Sequence, residues 1–130
     1  IFVPQLLGLE SYPQVHHLTS VVQGRLQKKK NWLDLLEACW PGGSVSGAPK
    51  LRACQRLYEL EPIARGPYCG SVIHITWNGT FDSNILIRSL MIQGKTLRAH
   101  AGCGIVADSD ANSEAEELNW KLMPLLEALQ

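Results

Sequence analysis

The sequence has no excess of either charge: 12 Lys and Arg stand against 12 Asp and Glu, for a formal net charge of zero. A nucleic-acid binder needs a basic face for the phosphate backbone, so that class is excluded as a first reading. Long apolar runs are missing. None approaches the ~20 residues that a membrane-spanning helix requires, and no leader pattern opens the chain, so no membrane is expected as a partner. The four cysteines, Cys39, Cys54, Cys69 and Cys103, show no CxxC and no zinc spacing. They read as reduced thiols of a cytoplasmic protein rather than as a disulfide framework. Internal repeats and low-complexity tracts are absent too, which excludes repeat arrays. The first residue is Ile1 rather than Met, as expected of a fragment or a processed product. What is present is 130 residues, 45% of them hydrophobic. That is enough for one domain burying about two thirds of its unfolded surface.

The pattern along the chain predicts an α+β fold, an antiparallel β-meander with flanking helices. Residues 12–26 are rich in Val and Thr and read as a strand, followed by a solvated turn at Lys28-Lys29-Lys30. Asn31 can cap a helix over 31–39. A loop dense in glycine and hydroxyls, 41–47, leads to a second helix with Pro49 in its first turn and Ser46 or Gly47 as cap. Leu51, Cys54, Leu57 and Leu60 then recur every three residues, the mark of one buried helical stripe that Pro62 ends. Three strands follow, over 69–77, 81–92 and 96–101, joined by tight turns at Asn78-Gly79 and Gly94-Lys95, and therefore antiparallel. The clearest helix spans 111–129, with Ala115, Leu118, Leu122, Leu125, Leu126 and Leu129 on one face.

Residues that break these patterns are the candidates for function. Arg88 falls between Leu86 and Leu90 on a strand face expected to be buried. A guanidinium there needs an anion. That anion is either a structural carboxylate of the protein or the carboxylate of a substrate, which the planar fork suits, and the residues favour neither. Glu114 sits at the margin of the apolar stripe of the last helix, with Glu117 one turn on. Such a pair can share a hard cation. Acidic residues in a first turn also complement the helix dipole without any ligand, and on the residues alone that simpler reading outweighs the metal site. Gly102-Cys103-Gly104 ends a strand and offers backbone N–H groups to an anion, although glycine also ends strands for steric reasons. His16 and His17 project to opposite faces of their strand. His74 and His100 have no motif around them and read as structural.

Five ordered stretches together resemble the chorismate-utilising enzymes: ESYPQVHHLTSVVQGRL (10–26), PGGSVSGAPKLRA (41–53), PYCGSV (67–72), FDSNILIRSL (81–90) and AGCGIVADSDANSEAEE (101–117). The resemblance covers nearly the whole chain and implies the C-terminal part of that family's fold, with residues 1–130 as the C-terminal portion of a chorismate-binding catalytic domain. Within the family, the Gly43-Ser44 loop and the Glu61-Pro62 and Tyr68-Cys69-Gly70 stretches look most like the aminodeoxychorismate synthases, with the anthranilate synthases next. The resemblance implies that Arg88 and Tyr68 bind a carboxylate of chorismate, with backbone N–H groups around Gly102 and Gly104 and the hydroxyl of Ser44 also on the substrate. Glu114 and Glu117 match the acidic pair that helps hold Mg²⁺. His17 matches a histidine near the departing 4-hydroxyl, where a general acid aids expulsion. Lys50 belongs to the GAPK signature without an assignable step.

The implied partners are chorismate and a glutamine amidotransferase subunit that supplies ammonia. Nothing in the 130 residues matches the P-I-K-G-T lysine of aminodeoxychorismate synthases or the upstream acidic helix with the other Mg²⁺ ligands; both are expected before Ile1. The competing expectation is a non-catalytic module that binds a ligand or another subunit. Unpaired sheet edges add an expectation of self-association.

Overall fold

The computed structural model describes residues 1–12 and 15–130, with Val15 described by its backbone alone. Two compact units divide the chain, Ile1–Trp40 and Pro41–Gln130.

The first unit is a long antiparallel hairpin, β1 (Phe2–Tyr12) on β2 (Val15–Gln23), followed by helix α1 (Trp32–Cys39). The strand expected over 12–26 is β2, shorter at both ends, and its Pro13 and Gln14 lie outside the described residues. Its partner β1 has no counterpart among the sequence expectations. The register pairs Leu9 with Leu18 and Glu10 with His17, and two irregularities fall between Phe2 and Gly8. Leu7 has a φ of 51°, and its N–H donates to Ser20 Oγ at 3.0 Å. Helix α1 starts where the sequence puts it. Asn31 Oδ1 accepts from the N–H groups of Leu33 and Asp34, while Asp34 accepts from the Asn31 N–H, a complete capping box.

The second unit opens on a single turn, α2 (Gly43–Ser46), and helix α3 (Lys50–Leu60). Pro49 is the N-cap of α3 rather than a first-turn residue, with φ −64° and ψ 133°. The two residues expected to cap it are used otherwise: Ser46 Oγ donates to Gly42 O inside α2, and Gly47 turns the chain at φ 97°. Two hairpins follow, β3 (Ile73–Ile75) with β4 (Phe81–Ser83) and β5 (Leu90–Gln93) with β6 (Thr96–Ala99). The first turns through three residues, 77–79, rather than the two-residue Asn78-Gly79 turn expected from the sequence: Thr76 N–H still bonds Thr80 O, and Gly79, at φ 87°, donates its N–H to Thr76 O. The second needs two, with Gly94 at φ 62° first.

Helices and antiparallel strands are therefore mixed as the sequence predicts, but the strand expected over 81–92 is divided. Its middle pairs irregularly with 69–72, through Cys69 N–H to Leu86 O and Leu86 N–H to Gly70 O, each at 2.9 Å. It then turns through Arg88 at φ 51°. Helix α4 (Ala111–Glu127) closes the chain, capped by Asp110, whose carboxylate accepts from Ser113 N–H at 3.0 Å.

The expected core is not formed within these residues. Among those described, Ser46 is buried and no apolar side chain is. The stripe on α3 is open at both ends, with Leu51 and Leu60 each 75% exposed.

Candidate functional site

One cavity of about 410 Å³ lies within the second unit. Ser44, Tyr68, Arg88, Gly102 and Gly104, five residues singled out from the sequence, all line it. They arrive from four places: the α2 turn, the loop after α3, the irregular stretch after β4, and the segment between β6 and α4.

Arg88 reaches the cavity by a different route from the one its pattern suggested. It is not on a buried strand face; its left-handed backbone turns it out of the ladder and it is exposed. The argument from a buried guanidinium in need of an anion therefore does not apply. Instead, an exposed guanidinium stands at the cavity wall. Cys69, at φ 63°, is a second left-handed residue on the same wall.

Tyr68 and Gly102 fit each other closely. A Cβ built on Gly102 would stand 2.8 Å from Tyr68 Oη, so only glycine admits the phenol there. Gly104 is different: a Cβ there meets nothing within 4 Å. Burial, helped by the neighbouring Cys69 thiol, pushes the Tyr68 hydroxyl up to about 12, so it remains a hydrogen-bond donor at neutral pH. The Tyr68 ring also meets His100 edge-on at 5.4 Å between centroids. The buried Nδ1 of His100 has no hydrogen-bond partner among the described residues.

Beside the cavity, α4 supplies the acidic pair. One oxygen each from Glu114 and Glu117 and the Sγ of Cys103 lie within 4.8 Å of one another. Glu114 Oε1 accepts from Ser109 Oγ at 2.6 Å, whereas its Oε2 is buried without a partner among the described residues. Glu117 pairs with Lys121 at 2.5 Å, and the same ammonium donates to Gly102 O at 3.1 Å. An orphaned buried carboxylate oxygen with a second carboxylate one turn away suits a hard divalent cation such as Mg²⁺. Cys103 does not: burial pushes its thiol up, and Sγ donates to Glu114 O at 3.2 Å.

His17 belongs to the hairpin unit, half-buried on β2, where its ring meets Tyr12 edge-on at 6.0 Å. His16 is exposed, its Nδ1 2.9 Å from Ser11 Oγ. Lys50 opens α3. All four cysteines are free thiols.

Sequence reasoning missed three cavity residues. Arg65 pairs with Glu61 across Pro62, which ends the helix and hides an i,i+4 relation from a helical pattern. Lys121 was findable, because it follows Glu117 by four residues on one helix.

A cavity walled by two arginines, a tyrosine and two glycines, with a carboxylate pair alongside, has the donors that a small anionic ligand requires. The profile of the family described as chorismate binding enzyme matches residues 1–127, and the chain belongs to that family. It is 44% identical over 128 residues to aminodeoxychorismate synthase component 1 of Klebsiella aerogenes, covering 98% of this chain and 28% of the relative. It is likewise 44% identical over 133 residues to anthranilate synthase component 1 of Synechocystis, covering 98% of this chain and 26% of that protein. Among solved structures it matches anthranilate synthase component I from Streptococcus pneumoniae with a TM-score of 0.89 at 40% identity, covering 95% of this chain and 28% of that one. The chain thus spans little more than a quarter of the length of these relatives.

Proposed function

We propose that residues 1–130 act as the C-terminal portion of the catalytic domain of an aminodeoxychorismate synthase component I. That enzyme would convert chorismate and ammonia to 4-amino-4-deoxychorismate for 4-aminobenzoate and folate synthesis, in the cytoplasm. The observation that carries this reading is the convergence of Ser44, Tyr68, Arg88, Gly102 and Gly104 on one cavity. Chorismate is a dianion, and each of these groups suits part of one. Arg88 neutralises a carboxylate, the protonated Tyr68 donates its O–H to it, and the N–H groups near Gly104 donate from the backbone. The Ser44 hydroxyl orients the bound ring. His17 supplies a proton near the departing 4-hydroxyl. Glu114 and Glu117 would hold Mg²⁺, which supplies the positive charge that a second carboxylate requires. Ammonia would come from a glutamine amidotransferase partner.

Anthranilate synthase component I is the second reading, favoured by the Synechocystis relative, whose identity equals that of the Klebsiella protein. The test uses the full-length enzyme carrying these residues, incubated with chorismate, Mg²⁺ and ammonia. Formation of 4-aminobenzoate only after addition of the lyase that acts on aminodeoxychorismate supports the first reading. Direct formation of anthranilate replaces it with the second. No consumption of chorismate overturns both and leaves a binding module.

A further inference from the structure

Arg65, on the wall of the same cavity, binds three separate parts of the second unit. Its Nε donates to Glu61 Oε2 at 2.8 Å and its Nη2 to Glu61 Oε1 at 2.5 Å, a two-pronged pair at the end of α3. Its Nη1 donates to Val45 O at 2.8 Å, the carbonyl next to Ser44 in the α2 turn. The guanidinium carbon lies over the Tyr68 ring, 5.9 Å from its centroid. One side chain thus ties together the turn that bears Ser44, the end of α3 and the ring of Tyr68.

We propose that Arg65, held by Glu61, is a positioning residue for chorismate, fixing the Ser44 turn and the Tyr68 ring at the separation the substrate needs. The proposal rests on the chorismate reading of this cavity. Its physical basis is the guanidinium's shape. Five donors in a rigid plane can grip a carboxylate, reach a carbonyl and present a face to an aromatic ring at once. A lysine ammonium is a single point on a flexible stem. It can replace the charge opposite Glu61 but cannot also hold the Val45 carbonyl and stay over the Tyr68 ring. An ion pair that only steadies α3 would accept that exchange.

The contrast supplies the experiment, in the full-length enzyme. Arg65→Lys is expected to keep thermal stability within about 2 °C of the parent. It should raise the KM for chorismate roughly 10-fold, with equilibrium chorismate affinity falling in parallel and kcat within about 2-fold, since small misplacements of positioning groups cost up to ~100-fold. Arg65→Gln should raise the same KM and also lower stability. An unchanged KM and affinity in Arg65→Lys overturns the positioning role while leaving the chorismate reading standing. A parent enzyme that neither binds nor consumes chorismate overturns both. If Arg65→Gln does not fold, Arg65→Lys decides alone.

Discussion

Arg88 and Cys69 hold backbone angles, φ 51° and 63°, that side chains other than glycine seldom adopt, and both border the cavity. Such conformations persist where the surroundings over-determine them, and they gather at binding sites. The effect at Arg88 is to swing a cation out of the ladder that Cys69 and Leu86 close. Arg88→Ala in the full-length enzyme is expected to lower kcat/KM for chorismate by ~10- to 200-fold, since a charge-assisted bidentate contact is worth roughly 1.5–3 kcal/mol. A steady-state comparison of the purified variant with the parent measures it. The two glycines nearby should behave unequally. Gly102→Ala forces a Cβ to 2.8 Å from Tyr68 Oη and should cost about 1–3 kcal/mol of stability, part of it recovered by adding Tyr68→Phe. Gly104→Ala, with open space around it, should stay within about 0.5 kcal/mol. Denaturant unfolding of the variants resolves the difference.

At the scale of elements, α4 carries most of the charge chemistry. Its Asp110 cap fixes the first turn, which puts Glu114 against Ser109 and Cys103, and Glu117 then meets Lys121 on the next turn. Replacing Glu114 or Glu117 by Gln is expected to raise the Mg²⁺ concentration needed for half-maximal activity of the full-length enzyme, with the larger effect at Glu114, whose buried Oε2 has no partner among the described residues. Titration of activity against Mg²⁺ checks it; unchanged dependence in both variants returns the pair to a helix-dipole role.

Elements were legible where a local signal sufficed. Asn31 caps α1, the 3.6-residue period marks α4, and Gly79 and Gly94 turn the two short hairpins. Strand β1 escaped because Pro4 and the run Leu6-Leu7-Gly8-Leu9 show no alternation, and a bulged strand need not. Arg88 lines the cavity, but not by the buried strand face that its pattern predicts. Alternation assumes continuous extended backbone, and one left-handed residue cancels it. Glu61–Arg65 was invisible because it depends on where the chain goes after Pro62.

For the whole molecule, the 130 residues by themselves should make no aminodeoxychorismate. They contain no counterpart of the P-I-K-G-T lysine, and groups that act as a unit are not replaced by the remainder. Incubating the purified chain with chorismate, Mg²⁺, ammonia and the lyase should give no 4-aminobenzoate; turnover near that of the full-length enzyme would refute the placement of the missing groups. The exposed side chains of Leu6, Leu9, Leu18, Leu51 and Leu60 should make the same preparation self-associate, visible as a concentration-dependent elution volume. The open stripe on α3 has a thermodynamic corollary. Leu51 and Leu60 are each 75% exposed, so unfolding uncovers little new apolar surface at either position. Denaturant sensitivity and the heat-capacity step of unfolding both scale with the area newly exposed, so Leu51→Ala and Leu60→Ala should each leave both within about 10% of the parent chain. A side chain already in water while its helix is folded leaves almost no calorimetric trace when the helix melts.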